Sequence, residues 1–408
     1  MSRIDDLIRD LCPDGVEYKP LGEVGEFIRG SGIKKSDFVE QGYPCIHYGQ
    51  IHTHYGISAT EAISHISPKQ VARLRKAQPG DLIIATTSED DDAVGKATAW
   101  IGTTPVAVGG DSFIFRHSME PKYVSYFFSS TAFSQQKQAH LTGAKVRRIA
   151  ASALSKIIIP APPIEVQHKI TRTLDQFTQL EAELEAELGA RQCQYNYYLN
   201  ELLDFKGDSK TPWHPLSQLG TFHRGKRFVK TDYSKQGIPC IHYGEIYTRY
   251  GVSASSVVSH LDESLHSRLR FAQPGDVVLV DVGEVVDDVG RSVAWIGDDP
   301  VAIHDHSYAF RSTLNPTFVS YVMRSDWFKR QKAKHIARTK VKTLLLDGFS
   351  KIQIPVPSPA EQDRIVEKLN RFDALINDLT LGLPAEIAAR RKQYEYYRDR
   401  LLTFPEKN

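Results

Sequence analysis

From Ile164 to Phe205, apolar and aromatic residues recur at Ile170, Phe177, Leu180, Leu184, Leu188, Tyr195, Tyr198, Leu202 and Phe205. From Phe177 on, with Arg191 counted in the stripe, the gaps are three and four, which keeps residues on one helix face. Glu181, Glu183, Glu185 and Glu187 fill the opposite, solvated face. The spacing predicts a helical rod of roughly 60 Å at about 1.5 Å per residue. So long a helix with one apolar seam needs a partner helix. From Pro359 to Phe404 the pattern returns at Ile365, Leu369, Phe372, Ile376, Leu379, Leu383, Ile387, Tyr394, Tyr397, Leu401 and Phe404. Its start, Ser358-Pro359-Ala360-Glu361, reads as a capping box with Pro in the first turn. Two unrelated helices, each serving its own domain, are the alternative; their length favours a long-range coiled-coil pair.

Between the rods the chain repeats itself. Tyr43-Pro44-Cys45-Ile46-His47-Tyr48-Gly49 returns as Ile238-Pro239-Cys240-Ile241-His242-Tyr243-Gly244, an offset of 195 (Pro44 to Pro239). The same offset links Gln78-Pro79-Gly80-Asp81 to Gln273-Pro274-Gly275-Asp276, and Trp100-Ile101-Gly102 to Trp295-Ile296-Gly297. By Tyr195 and Tyr394 the offset is 199, so the second rod has gained about one helical turn near Gly382 and Pro384, where it should bend. The expected organisation is a first globule with a short N-terminal amphipathic helix (Ile4, Leu7, Ile8, Leu11) over residues 1–160, and a rod over 161–205. A second globule, entered through the polar linker 206–212, covers 206–355, and a second rod covers 356–408.

Within each globule, short β-type runs follow one another: 81–85, 97–101 and 112–115, with counterparts at 276–280, 292–296 and 307–310. Residues 124–133 and 319–328 read as one helix in each copy. The fold class is α+β, twice over. A hydrophobic content of 41% and a charged content of 25% are those of an ordinary globular protein. The net charge of +2 means that any basic surface is local. The four cysteines have no metal or disulfide pattern, and no apolar run reaches membrane length, so a cytoplasmic protein with no membrane partner is expected.

Enzyme chemistry does not emerge. There is no phosphate-binding P-loop and no dinucleotide fingerprint. His47, His52, His54 and His65 lack metal-ligand spacing, and the acidic run 89–92 reads as a loop, because its counterpart carries two valines. What stands out is doubled basicity beside glycines and aromatics. The first loops carry Arg29, Lys34 and Lys35, matched by Arg224, Lys226 and Arg227; later loops carry Lys145, Arg147 and Arg148, matched by Lys340 and Lys342. Cationic tips at glycine-rich turns suit phosphate contacts. The block around His47 and Tyr48, and around His242, Tyr243 and Arg249, with Gln50 and Glu245 inside it, offers the groups that read base edges. These sixteen basic and aromatic residues are the candidate DNA-binding set, with no catalytic or metal residue among them.

The rod segments Arg191-Gln192-Cys193-Gln194-Tyr195-Asn196-Tyr197-Tyr198-Leu199 and Arg391-Lys392-Gln393-Tyr394-Glu395-Tyr396-Tyr397-Arg398 resemble those of the DNA-specificity subunits of type I restriction–modification systems. The tandem repeat Leu180-Glu181-Ala182-Glu183-Leu184-Glu185-Ala186-Glu187-Leu188 is similar to the short repeats of that family's central helix. The resemblance spans the whole chain and implies two target-recognition domains separated by two long antiparallel coiled-coil helices, with an internal pseudo-two-fold repeat. It implies no active site and no cofactor in this chain. Its partners would be double-stranded DNA, two methyltransferase subunits that bind S-adenosylmethionine and flip out an adenine, and motor–nuclease restriction subunits. Unlike the common pattern, the two recognition domains here are close copies, so a near-palindromic bipartite site is expected. A coiled-coil scaffold and a stand-alone tandem DNA-binding protein are the competing readings.

Overall fold

The computed structural model describes residues 9–377 and 382–407. By contact the chain divides into two units, Met1–Glu183 with Ile387–Asn408, and Leu184–Glu386. In the first unit one five-stranded sheet has the order Gly25–Arg29, Ser112–His117, Leu82–Ala85, Ala97–Trp100, Ser58–Ala59. A second has the order Phe38–Val39, Ser64–Ile66, Tyr43–Ile46, Val106–Val108, Lys76–Ala77. The second unit repeats both orders strand for strand, with Val277–Val280 central in one sheet and Ile238–Ile241 central in the other. The three strands expected in each globule are all present.

The strand Leu82–Ala85 reads as an unbroken apolar run because both its faces are covered. Ile83 and Ala85 meet Ile46, Val108 and Trp100 of the inter-sheet core, while Leu82 and Ile84 join a second core with Phe115, Tyr123, Ile170 and Leu174. The repeated Gln-Pro-Gly-Asp motif is the turn that starts this strand. Gly80 and Gly275 have φ of +97° and +89°, a region that a side chain would strain. The buried Asp81 accepts from the Gln78 N–H at 2.8 Å and holds Arg116 through Nε and Nη2; Asp276 does the same for Gln273 and Arg311.

The single helices expected at 124–133 and 319–328 are each two. Pro121–Phe128 is followed by Thr131–Gln138, and Pro316–Val322 by Asp326–Lys332. The breaks are new N-caps: Ser130 Oγ accepts from the Phe133 N–H and Ser325 Oγ from the Phe328 N–H.

The first rod is one helix, Ile164–Leu202; the second is described as Pro359–Asn377 and Leu383–Leu401. Leu379 of the expected stripe, and Ile4, Leu7 and Ile8 of the N-terminal helix, lie outside the described residues; Leu11 packs on the first unit's core. In the first unit Phe177 stacks on Tyr397 at 5.3 Å and Glu181 pairs with Arg391. In the second, Tyr198 stacks on Phe372 at 5.1 Å beside a Tyr195–Asp373 contact. Sequence number rises on one helix as it falls on the other, so each pair is antiparallel. The expected stripe is too narrow, since Val166, Leu174, Leu199 and Leu203 are also buried where rod helices meet a globule. Glu181, expected on the solvated face, is instead an ion-pair partner across the seam.

Each globule is closed at its base by a short antiparallel ribbon, Tyr18–Pro20 with Ile158–Pro160 and Trp213–Pro215 with Gln353–Pro355. Each then docks on its rod helices with a different set of polar contacts. In the first unit Thr131 donates to Asp399, and Arg398, 12% exposed, lies over Tyr394 with Ser129 alongside. In the second, Asp326 meets Asn200, and Arg324 stands at the position of Ser129, its Nη2 donating to the carbonyls of Gly251 (2.7 Å) and Ser292 (3.0 Å). The rod position matching Arg398 is Leu199, 3% exposed. One guanidinium thus lies at each docking surface, on the helix in one unit, where it meets Asp399 and Tyr394, and on the globule in the other, where Tyr195 and Asp373 of the rod helices act on its charge.

Candidate nucleic-acid interface

The strand Gly25–Arg29 ends against the loop 109–111. The approach is close enough that a Cβ on Gly30 would lie 2.0 Å from the Gly109 carbonyl oxygen. There the Arg29 Nε donates to the Gly110 carbonyl at 3.2 Å, and Arg75 donates to the Arg29 carbonyl at 2.8 Å, fixing the strand end. His47 leads into the helix Tyr48–Thr53, and its ring lies 4.5 Å from that of Tyr48. Its Nδ1 accepts from the Gly49 N–H, so a neutral ring presents Nε2–H away from the helix. Burial pushes the His47 imidazole below its ordinary value, and Lys35 adds to this while Asp111 opposes it. His52 Nε2 lies 3.0 Å from the Thr87 carbonyl, and Thr87–Ser88 pairs with Arg147–Arg148. Arg29, His47, Tyr48 and the loop around Arg148 are therefore tied into one contiguous region of the first globule, with the Lys35 charge acting on His47.

The second globule repeats the assembly. Arg224 Nε donates to the Asp305 carbonyl at 2.9 Å, His242 Nδ1 accepts from the Gly244 N–H, and the Tyr243 ring lies 4.2 Å from that of His242. Tyr247 bonds to the Val282 carbonyl, and Val282–Gly283 pairs with Lys342–Leu344, which brings Lys342 to the same region. This copy adds a cluster that the sequence reading missed. Asp281, 4% exposed, accepts from Arg224 Nη2 at 3.1 Å and lies 3.3 Å from His306 Nδ1. The His304 ring is 4.7 Å from that of His242, and burial first of all pushes the His304 imidazole down to about 4. Burial likewise raises the Asp281 carboxyl, against the pull of His306 and Arg224. The signal lay in the alignment of the copies, where Thr86, Gly109 and Asp111 become Asp281, His304 and His306.

The other candidates fall into two groups. Lys34, Lys35, Lys145, Arg148, Lys226, Arg227, Arg249 and Lys340 are exposed, and Lys342 is half-buried. Arg147 is occupied: its Nε and Nη2 hold Asp91 at 2.6 and 3.2 Å, and its Nη1 donates to the Gly143 carbonyl, so it braces the loop. Gln50 and Glu245 are occupied too. Each accepts from the N–H of its capping histidine and bonds to a serine, Ser64 or Ser259, so neither carries a free side chain to a base.

The sequence profile of the type I restriction modification DNA specificity domain matches residues 13–190 and 212–389. The EcoR124I/EcoR124II specificity subunit of Escherichia coli is 31% identical over 297 residues, covering 70% of this chain and 71% of that one. The EcoprrI specificity subunit, also of Escherichia coli, is 42% identical over 222 residues, 51% of this chain and 53% of that one. A chain solved in work on the assembly and conformational transition of the type I restriction–modification system has the same fold. Its TM-score is 0.64 at 15% identity, over 96% of this chain and 98% of that one. With both of its repeats matched and a relative aligned over most of either length, the chain belongs to the family of type I restriction–modification DNA specificity subunits.

Proposed function

We propose that each globule reads one half of a bipartite, near-palindromic duplex DNA site. As a member of its family the chain is the DNA-recognition component of a restriction–modification assembly, not the catalytic one. The observation that carries the reading is the duplicated constellation Arg29–His47–Tyr48 and Arg224–His242–Tyr243, in each of which a backbone carbonyl anchors the arginine through Nε and a glycine N–H anchors the histidine through Nδ1. Such groups suit phosphates and base acceptor edges. Near-identical domains read near-identical half-sites, inverted where the domains are related by a two-fold. Two methyltransferase subunits bind S-adenosylmethionine and methylate an adenine in each half-site, and motor–nuclease subunits add cleavage, all in the cytoplasm. No helix among the described residues is long and apolar enough to cross a membrane.

The test is to express the chain with its methyltransferase partner in a host lacking adenine methylation and to sequence the methylome. A single bipartite motif with related, inverted halves is the expected result. Methylation without such a motif, or none at all when the proteins co-purify, refutes the reading.

A further inference from the structure

Resting on that reading, we infer that Asp281, His304 and His306 are specificity-determining residues that make the second half-site differ from the first at the base pair facing Arg29 or Arg224. The two arginines start from the same anchorage. Each donates Nε to the carbonyl of the residue 81 positions on, Gly110 or Asp305, and each has its own carbonyl held by Arg75 or Arg270. They differ in what happens to the other end of the guanidinium.

In the first globule no carboxylate among the described residues meets Arg29, because Thr86 stands where the second globule has Asp281. Thr86 turns its hydroxyl to the Asp111 carbonyl at 2.9 Å. Arg29 is exposed, and no group among the described residues claims either of its terminal nitrogens. An anchored, planar, two-nitrogen edge of this kind pairs with the O6 and N7 acceptors of guanine.

In the second globule half of that edge is committed. Arg224 Nη2 is taken by the buried Asp281, and the guanidinium lies 5.7 Å over the Tyr308 ring, where the first copy has Phe113. The other oxygen of Asp281 faces His306 Nδ1, and His304 packs 5.6 Å from the His306 ring. A carboxylate on Nδ1 fixes the proton there, so Nε2 of the neutral His306 is an acceptor. The side chain is 41% exposed, which leaves that acceptor able to meet a ligand. An acceptor calls for an exocyclic amino group, on adenine or cytosine, and not for guanine. Where the first domain presents two arginine donors, the second presents one, Nη1 of Arg224, beside one acceptor.

The experiment grafts the first domain's residues onto the second in the full chain: Asp281→Thr, His304→Gly, Asp305→Gly and His306→Asp. The reverse graft, Thr86→Asp, Gly109→His, Gly110→Asp and Asp111→His, is made in parallel, so that a fold defect in one does not end the test. Each is expressed with the methyltransferase partner and its methylome is sequenced. The first graft should switch one position of the second half-site to the base of the first, and the reverse graft should do the converse. The preference displaced should be about ten- to a hundredfold, the range of one bidentate base contact. Methylation by either graft at the parental motif, unchanged at every position, overturns the inference and leaves the bipartite reading standing. Failure of the parent chain to direct any bipartite motif overturns the bipartite reading itself.

Discussion

The two docking surfaces carry their guanidinium on opposite sides, and this predicts strong coupling between globule and rod. The perturbation is a transplant within the second unit. The globule side is changed to the first unit's residues by Arg324→Ser and Asp326→Thr, and the rod side by Leu199→Arg and Asn200→Asp. The globule-side change alone removes the two hydrogen bonds to the Gly251 and Ser292 carbonyls, at about 0.5–1.5 kcal/mol each. Part of that is offset, because Arg324 Nε is itself buried without a partner. The rod-side change alone removes the buried Leu199, at about 1.5–3 kcal/mol of lost burial, and sets a second guanidinium against Arg324. Made together, the four substitutions rebuild the Ser129–Thr131–Arg398–Asp399 arrangement that the first unit uses. Independent effects would add to roughly 3–6 kcal/mol; the combined variant should lose only about 1. For a unit of about 200 residues the coupling amounts to some 5–15 °C in Tm, readable by scanning calorimetry of the four members of the cycle. Additivity within about 0.5 kcal/mol would refute the idea that the two surfaces are matched pairs.

Replacing Lys145, Arg148, Lys340 and Lys342 together by Ala should weaken binding to all duplexes alike. It should also flatten the plot of log affinity against log salt by up to about 3.6, since each phosphate contact contributes about 0.9; an unchanged slope in a filter-binding titration would remove these loops from the DNA. Inserting Glu-Ala-Glu-Leu after Leu188 lengthens the helix Ile164–Leu202 by about 6 Å, and the methylated motif should keep its half-sites while its unread spacer grows by one or two base pairs. A spacer of the old length would show that the rod is not the ruler. His117 and His304 are both held down to about 4, by burial first of all. The unfolded chain takes up those protons below about 6.5 and the folded one does not. Stability should therefore be full above pH 6.5 and fall as pH drops towards 4, with a slope of up to about 1.4 kcal/mol per pH unit for each histidine. Urea melts at pH 7, 6 and 5 should show a shallower fall for His117→Ser, the residue that the second copy carries as Ser312; an equally steep fall would disprove the assignment.

The elements most legible in the sequence were those whose signal is periodic or duplicated. The run 81–85 and its counterpart 276–280 announced themselves as strands, and the rods by their three-and-four spacing. The break at Ser130 was hidden because a serine inside a helical pattern looks neutral until its hydroxyl is seen capping Phe133. Leu174 and Leu199 fell outside the predicted seam because a helix that touches both a partner helix and a globule buries a wider arc than a coiled coil needs. At the interface, charge and glycine marked Arg29 and Lys145, but nothing local shows that Arg147 is spent on Asp91, 56 residues away. Asp281 and His306 meet only because Val277–Val280 and Ser307–Ser312 are neighbouring strands, which is a property of topology and not of spacing.

The ribbons at the base of each globule make the recognition domains removable cassettes. Tyr18–Pro20 against Ile158–Pro160, and Trp213–Pro215 against Gln353–Pro355, bring the entry and exit of each globule to one strand spacing, about 4.8 Å. A genetic crossover in two such ribbons replaces everything between them without changing the gap that the helices must bridge. The incoming cassette can differ in length, loops and target, and the register of the rods is undisturbed. Only its docking face is constrained, by the residue waiting on the rod helix: Arg398 in the first unit, Leu199 in the second. A lineage that changes its DNA target by recombination should therefore shuffle cassettes freely within one position of the chain. Moves from the first position to the second should survive only where the arginine moves as well.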